Sequence, residues 1–565
     1  MLRRAVRMGL AGVALIGVAG CASYGEGVSQ SLKHVEKGNY EKAEKSLEKG
    51  LEAKGDDKLL YHLERGAINH LAGKYEASNR ALEKAHDLAD KLRSKQAEDY
   101  LAAAMVNPRQ MEYMGNDIER VYINYYKGLN FLMLAQKAQD EDKRAEHLES
   151  AGVEIRRLDN KLSAMEFNKG SYEQTKKEEE KTFAQLLDIF QKFQGNWLDE
   201  EWLVFREDAY ARYLAGVLYE KSGDLDDARI SYRKAAELYE EGYSEQYHLD
   251  ENMAQQAWLD TVRIMRKAGG YESESQRLID QKLSEASRER LDEFGPDKGQ
   301  IVVIQHMGMV PQRKELNLHL TAHPNQRALR LEPVLSGTQQ EKRDQAAWFF
   351  LLYGDKGVMD MLSGFAEGGL AGVGRTVTQK TVPLGPAWEL AEQLNIPQNI
   401  GGTGIRVTVP YYSPLRTNAN GTRVRVNGEA AGELKQAESI SQLVVQNQLL
   451  NAGPDLHAAL ARATLKNVTA AQAGGMLGGG LGQLAGKAVA SGSSAAETRS
   501  WLTLPYGIRV ARFPVEPGKH NLKLVTQSRQ GTNLASHRKA MSVEAGQTKV
   551  WVTRTIDPTQ ERPYN

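Results

Sequence analysis

The sequence predicts a multidomain α+β protein, in which an N-terminal α-helical solenoid is followed by an antiparallel β-sandwich-like module with a helical insertion. Apolar residues recur at helical spacing, among many Lys and Glu, from about residue 26 to residue 293. After Gly295-Pro296, apolar and polar residues alternate with a period of two, which is typical of half-buried strands. The length of 565 residues exceeds what one hydrophobic core usually serves, so two or three domains are expected.

The first 21 residues have the parts of a secretory leader. Three arginines lie within the first seven residues, and the apolar stretch 8–18 is shorter than the roughly 20 residues of a membrane-spanning helix. The motif VAGC at 18–21 resembles the lipobox of bacterial lipoproteins. The resemblance implies cleavage between Gly20 and Cys21, with acyl chains such as palmitate anchoring Cys21. An ordinary secretory signal with an incidental cysteine is the alternative, although the chain has no other cysteine.

The residue after Cys21 indicates the membrane in which the protein lies. It is Ala22, not the Asp that often retains lipoproteins in the inner membrane, so we expect the periplasmic face of the outer membrane. Residues 21–28 are expected to be a lipidated linker after the signal peptide 1–20. Removing the leader takes three of the 73 basic residues, and the remaining 70 face 73 acidic residues, a net formal charge of −3. This balance argues against nucleic acid as a partner.

Three short motifs repeat in the helical region. GNYEKA at 38–43 recurs as GKYEAS at 73–78 and as GDLDDA at 223–228. They resemble the turn of the tetratricopeptide repeat (TPR), a helix-turn-helix unit of 34 residues. Small residues let the paired helices approach closely, and apolar residues at helical spacing bury one face. The residues expected to form these turns and this packing are Gly38, Tyr40, Ala43, Gly66, Gly73, Tyr75, Gly216, Gly223, Ala228, Tyr232 and Ala235.

The TPR-like domain is predicted to cover residues 29–293. Residues 92–205 match the repeat poorly, and we interpret them as degenerate or non-repeat helices that join two TPR-like ends. A plain helical bundle with coincidental turns is the alternative. A solenoid of paired helices has a concave face that commonly binds peptides or partner proteins.

The β-rich domain is predicted to cover residues 297–565, with helical or glycine-rich insertions at about 338–375 and 437–492. One-sided alternation indicates strands that pack on a single face. A helix is expected over about 437–465, and Pro517-Gly518 predicts a tight turn. The candidate strands are 301–304, 316–320, 405–409, 424–426, 501–504, 508–512, 522–524 and 550–552.

Two glycine-rich segments have glycines four residues apart, at 364–372 and at 474–486. The first follows the aromatic run 348–353. This spacing on a helix lets another backbone approach closely. Three interpretations stay open: a flexible loop or tight internal packing, a contact with a partner or a second copy, and membrane insertion. Insertion is disfavoured because Glu367 and Lys487 are charged and large apolar residues are few.

Candidate catalytic and metal-binding patterns are weak. Ser-x-x-Lys occurs at 46–49 and 231–234, but the companion motifs of penicillin-interacting enzymes are missing. His319 and His323 lie four apart on a predicted strand, where they stand roughly 13 Å apart, too far for one metal. His306 is interpreted as a strand-end residue without a special role, and the glycines at 401–404 precede a strand instead of a helix. We therefore expect no enzyme, no cofactor and no metal site.

Three longer segments carry a resemblance to a family: GDLDDARISYRKA at 223–235, TRSWLTLP at 498–505 and IRVARFPVEPG at 508–518. With the lipobox, they resemble an uncharacterised family of Gram-negative outer-membrane lipoproteins that have a TPR-like N-terminal region and a β-rich C-terminal region. Members are often encoded near lipoprotein activators of penicillin-binding proteins. The resemblance implies a link to peptidoglycan synthesis and provides no catalytic residues.

The leading hypothesis is a non-enzymatic scaffold or adaptor of the cell envelope, which binds protein partners through its helical region. A second hypothesis is a subunit of an envelope transport or secretion assembly, which self-associates through the glycine-rich segments. A third is a cell-wall-active enzyme.

Overall fold

The mixed α+β class is confirmed, with paired helices in the N-terminal half and sheets in the C-terminal half. The computed structural model describes residues 23–51, 53–98, 107–163, 207–249, 252–353, 379–401, 404–472, 495–558 and 560. Gly20, Cys21 and the glycine-rich segments 364–372 and 474–486 lie outside these residues. Within the described ranges, no helix combines the length and the apolar character needed to cross a membrane.

Helices account for most of the described residues up to 292. They are α1 (Ser23–Glu36), α2 (Tyr40–Gly50), α3 (Lys58–Leu71), α4 (Tyr75–Glu98), α5 (Asp117–Lys137), α6 (Glu141–Ser163), α7 (Ala209–Ser222), α8 (Leu225–Leu238), α9 (Asn252–Ala268), α10 (Glu272–Lys282) and α11 (Glu285–Asp292). A π-helical turn at Tyr239–Tyr243 and a helical turn at Ser244–Gln246 follow α8. Because α1 already begins at Ser23, the stretch 23–28 that we expected as linker is helical.

The first ten helices form five consecutive pairs, α1–α2, α3–α4, α5–α6, α7–α8 and α9–α10. Gly38, Gly73 and Gly223 occupy the turns of three pairs with φ of 68°, 72° and 86°, a region that glycine enters without steric cost. At each turn, the N–H after the glycine donates to the carbonyl five residues earlier, at 2.9 Å. The predicted turns are therefore three copies of one hydrogen-bonded helix end.

Glycines inside the first helices allow close packing of each pair. A Cβ added to Gly66 would lie 2.5 Å from Leu82, and one added to Gly216 would lie 2.6 Å from the ring of Tyr232. Gly128 in α5 has the same role, because its added Cβ would lie 2.8 Å from Ile155 in α6. Residues 117–163, which we expected to be degenerate or non-repeat helices, thus form a helix pair with the same kind of glycine packing.

Twelve strands are found in the described part of the chain. They are β1 (Gly299–Met307), β2 (Arg313–His323), β3 (Ala328–Pro333), β4 (Lys380–Pro383), β5 (Ile405–Tyr412), β6 (Ala419–Val426), β7 (Glu429–Glu433), β8 (Lys435–Glu438), β9 (Gly507–Val515), β10 (Gly518–Ser528), β11 (Asn533–Val543) and β12 (Thr548–Thr555). Sheet A has the order β12-β1-β9-β8, sheet B the order β4-β3-β2-β5, and sheet C the order β11-β10-β6-β7.

Sheet A lies between the helical array and sheet C. Successive side chains of a strand point to opposite faces, and in β1 Ile301 and Val303 pack with sheet C, whereas Val302 and Ile304 join the core shared with the helices. Sheets A and C thus enclose a sandwich core. Most strand pairs are antiparallel as expected, but β1 and β12 are parallel. Residues 501–504, predicted as a strand, have no regular secondary structure.

Sheet B packs with the remaining helices, which are α12 (Gln339–Tyr353), α13 (Ala387–Gln393), α14 (Ile396–Ile400) and α15 (Ile440–Gln472). The helix predicted at 437–465 is thus confirmed as α15. Trp348 and Phe349 of α12 are fully buried, and the indole N–H of Trp348 donates to the carbonyl of Tyr412. These two aromatic residues serve the core of the protein, so they are not available to a membrane.

Candidate functional site

The inner face of the helical array, formed by α3, α5, α7 and α9, is covered by the C-terminal half of the same chain. The parts of that half that contact the helices include strands β1, β8, β9 and β12 of sheet A, helix α15, and the irregular segment 495–506, called here the docked segment. The docked segment contains the predicted strand 501–504. Its backbone groups pair with side chains of the helices, which explains how it can be buried without joining a sheet.

Glu64 of α3 binds the docked segment at its centre. Its carboxylate accepts the backbone N–H of Leu502 at 2.7 Å, and the N–H and hydroxyl of Thr503 at 3.3 and 2.6 Å. Glu64 is only 1% exposed. Burial raises the pKa of its carboxyl to about 7, although the hydrogen bonds from Thr503 and Leu502 oppose that rise. A buried glutamate on a helix thereby satisfies two orphaned backbone amides.

Glu119 of α5 makes the neighbouring contact. It accepts the N–H of Trp501 at 2.6 Å and the hydroxyl of Tyr113 at 2.5 Å. It also completes the capping box of α5 with Asn116, which fixes the carboxylate in place. The indole of Trp501 is fully buried and packs on Tyr126 with ring centroids 5.6 Å apart. Trp501 is thus the apolar anchor of the docked segment.

Arg499 fixes the start of the docked segment through charge. Its guanidinium donates to Asp57 at 2.8 Å and to the carbonyls of Pro108 and Met111 at 2.9 and 3.0 Å. It lies over the ring of Tyr113 at 5.3 Å, a cation–π distance. Burial opposes its charge, but pairing with Glu497 and Asp57 outweighs burial and raises the pKa of Arg499.

A buried ion cluster joins α7 and α9 to β9. The carboxylate of Glu220 accepts hydrogen bonds from both terminal nitrogens of Arg263, at 2.8 and 2.6 Å. Arg512 forms ion pairs with Glu220 at 3.0 Å and with Asp260 at 2.9 Å. All four are at most 5% exposed. Burial alone would raise the pKa of Glu220, but the two guanidinium groups hold it well below its ordinary value. Two cations and two anions therefore balance each other between the array and sheet A.

His306 lies next to the last residue of β1, at a strand end as predicted, and it also contacts the helices. It is fully buried in β1, and its Nε2 lies 2.8 Å from the hydroxyl of Tyr125 in α5. His70 of α3 lies beside it, with ring centroids 6.0 Å apart, and its Nδ1 is 2.7 Å from Asn130 Oδ1. Burial lowers the pKa of His70 to about 4 and that of His306 well below its ordinary value. Both imidazoles are therefore neutral parts of the helix–sheet interface.

The predicted repeat residues lie at turns and pair interfaces, and not in one pocket. Tyr40 and Tyr75 begin α2 and α4, and Ala43 is buried on α2. Ala228, Tyr232 and Ala235 are buried along α8. Four of the interface residues were not predicted from the sequence: Glu64, Glu119, Glu220 and Arg512. Acidic residues inside apolar helices, and an arginine inside the apolar alternation of β9, are the signals that mark them.

The weak catalytic patterns lie on ordinary elements. Ser46 and Lys49 are on α2, and Ser231 and Lys234 are on α8, where Lys234 pairs with Glu207 at 3.6 Å. His319 and His323 are both on β2 as predicted. No group of three His, Cys, Asp or Glu suited to a metal ion is found among the residues that the structure describes.

The outer face of the array stays open to solvent. A cleft of about 560 Å³ lies between α8 and α10, where Arg233, Glu237, Arg277 and Lys282 surround the edge of Trp258. The indole N–H of Trp258 donates to Glu240 at 2.8 Å. This cleft has charged walls and a small aromatic floor.

A family model described as tetratricopeptide repeat matches residues 34–57 and 209–241. The first match runs from the end of α1 through α2, and the second covers α7 and α8. No curated protein and no solved structure gives a significant match. The chain therefore carries TPR repeats, a type of repeat that serves protein–protein interaction.

Proposed function

We propose that the protein is a non-enzymatic, protein-binding scaffold, anchored through lipid on Cys21 to the periplasmic face of the outer membrane and linked to peptidoglycan synthesis. The five-pair helical array with its two TPR matches carries this proposal. The membrane anchor and the cell-wall link rest on the lipobox and on the family resemblance.

The occupied inner face decides where a partner can bind. In the described residues, the docked segment and sheet A cover the face that a TPR array commonly offers to a ligand. The buried hydrogen bonds and the ion cluster hold these parts together. A partner protein is therefore expected on the outer face, where the second helices of the pairs are exposed.

The cleft between α8 and α10 is our candidate site on that face. It combines cations and anions on its rim with part of Trp258 at its floor. Ile230 of α8, with 53% of its surface exposed, adds an apolar group on the same helix. A polar rim around a small apolar centre is the usual arrangement of a protein interface.

In-cell photo-crosslinking tests this proposal. A photoreactive residue in place of Arg277 should capture one defined protein, and the same residue in place of Gln326, exposed in the sheet B region, should not capture it. Glu237→Lys, which reverses a charge on the rim of the cleft, should abolish the crosslink from position 277 if the cleft is the binding site. Equal capture from both positions, or capture that survives Glu237→Lys, would contradict a partner site at this cleft.

A further inference from the structure

We propose that the outer face of sheet C binds anionic lipid surfaces, through a row of cations across three neighbouring strands. In the register of the sheet, Lys523 of β10 lies opposite Arg425 of β6 on one side and opposite Arg538 of β11 on the other. Strands in a sheet are about 4.8 Å apart, so the three residues span about 10 Å. They form what we call the basic row.

The basic row points away from the protein core. Leu522 and Leu524, which flank Lys523 in β10, belong to the core between sheets A and C. Because side chains alternate along a strand, Lys523 points to the opposite, solvent-facing side. Arg425 and Arg538 are exposed, and Lys523 is partly exposed between them.

Two further cations extend the basic row on the same face. Arg423 lies two residues before Arg425, and Lys519 lies four residues before Lys523. In the described part of the chain, Arg423 pairs with Glu433 at 3.1 Å. Among the described residues, no salt bridge involves Arg425, Lys523 or Arg538. Arg425 donates a long hydrogen bond to the carbonyl of Gly428, at 3.4 Å. The face thus has an excess of positive charge.

Folding does not explain this arrangement. Like charges directly opposite one another on a sheet are destabilising. Lys and Arg protect exposed sheet edges against pairing, but that accounts for Arg538 on the edge strand β11 and not for Lys523 and Arg425 on the inner strands. Because the repulsion between these cations destabilises the fold and no contact within the fold offsets it, we expect the cations to serve binding.

The chemistry of the face favours a lipid surface over a protein. Protein interfaces have aromatic and aliphatic anchors at their centre and few charges there. Next to the basic row, this face offers Val525, Ser536 and Ala540, and the described strands of the sheet contain no Phe, Tyr or Trp. A flat array of phosphate headgroups needs no pocket, and each Lys or Arg near it adds to binding.

Vesicle co-sedimentation tests the proposal independently of the lipid anchor. The chain without its first 21 residues, and so without an acyl group, is mixed with vesicles of phosphatidylcholine alone or with about one-third phosphatidylglycerol. We expect binding to the phosphatidylglycerol vesicles only, and its loss at about 1 M salt, where the Debye length falls to about 3 Å. Equal binding to both kinds of vesicle, or binding to neither, would overturn the proposal.

Charge variants assign the binding to the basic row. Arg425→Gln, Lys523→Gln and Arg538→Gln together should weaken partition into phosphatidylglycerol vesicles on the order of 100-fold. Arg425→Lys with Arg538→Lys should retain it. The matched control neutralises the exposed Lys45, Arg93 and Lys143 of the helical array and should bind like the parent chain.

Circular dichroism separates lost binding from lost folding. The triple variant should unfold at the parental temperature or slightly above it, because three like charges are removed. Should the triple variant fold and still bind as tightly as the parent, or the control variant lose binding equally, the basic row is not the lipid site. A chain that binds heparin or an acidic protein but not vesicles would also overturn it.

Discussion

Glu64 and Thr503 are joined by two hydrogen bonds, although they are 439 residues apart in the sequence. The same carboxylate also holds the N–H of Leu502. The inner face of the helical array thus binds an irregular segment, and that segment belongs to its own chain. This arrangement makes the two halves of the protein dependent on each other for stability.

Removing the Glu64 carboxylate should therefore destabilise the whole protein. Glu64→Ala leaves two buried amides and one hydroxyl without an acceptor, and each buried unsatisfied group costs about 1–3 kcal/mol. We expect the free energy of unfolding in urea to fall by about 3 kcal/mol or more. Glu76→Ala, on the exposed surface of α4, should change it by less than about 0.5 kcal/mol. Equal effects of the two substitutions would show that the docked segment contributes little stability.

The pair-packing glycines should differ in how they tolerate alanine. In Gly216→Ala the new methyl meets the ring of Tyr232, which Arg512 and Glu220 hold in place, so a loss of about 2–3 kcal/mol is expected. Gly152→Ala on α6 meets no atom closer than 3.4 Å and should gain about 0.5–1 kcal/mol from helix propensity. Thermal unfolding compares them, and a gain for Gly216→Ala would contradict the close packing.

The buried ion cluster should be sensitive to the loss of one partner. Arg512→Met leaves Glu220 and Asp260 facing each other with a single cation, Arg263, and breaking a buried pair costs about 3–5 kcal/mol. Arg538→Met, on the exposed strand β11, should be nearly neutral. Urea denaturation measures both variants. Similar midpoints for Arg512→Met and the parent would mean that the cluster does not hold the halves together.

Acid should weaken the interface through His70. Its pKa in the fold is about 4, below the value of about 6.5 for an unfolded histidine. The unfolded chain therefore takes up a proton first as the pH falls, so the stability from neutral His70 is complete above pH 6.5 and declines toward pH 4. The shift corresponds to about 3 kcal/mol. Between pH 6.5 and 4, the slope of the free energy of unfolding against pH should correspond to about one fewer bound proton in His70→Gln than in the parent. An unchanged slope would contradict this role of His70.

Lipid attachment is tested by replacing the only thiol of the chain. Cys21→Ser should prevent metabolic labelling with palmitate and release the protein from an outer-membrane fraction washed with about 1 M salt, because the acyl chains are the proposed anchor and salt screens the basic row. Lys37→Ser, in the exposed turn after α1, is the matched control and should stay in the membrane fraction. Retention of the Cys21→Ser protein would argue against the anchor.

Local chemistry explains what could be predicted from the sequence. The turns at Gly38, Gly73 and Gly223 depend on a few neighbouring residues, so their motifs predicted them correctly. The pair α5–α6 lies where degenerate or non-repeat helices were expected, and its spacing differs from that of the other pairs. Gly128 packs on Ile155, 27 residues later, whereas Gly66 and Gly216 each pack on a residue 16 positions later. A motif of fixed spacing does not detect this pair.

Non-local pairing explains what could not be predicted. The alternation in 501–504 is typical of a strand, but the amides of Trp501 and Leu502 find their acceptors on helices. The parallel pairing of β1 with β12 joins residues about 250 positions apart, as Gln305 and Thr555 illustrate through their hydrogen bond. No local pattern encodes such a partner.

Hydrogen exchange at the amide of Leu502 tests most directly whether the docked segment fills the inner face of the array. That amide lies outside any helix or strand and is bonded to Glu64. It should exchange as slowly as amides in the centre of β1, because it opens only when the two halves separate. Exchange as fast as in the exposed turn at 529–532 would show that the segment is not held there, and the part of the inner face that it covers would then be free for a partner.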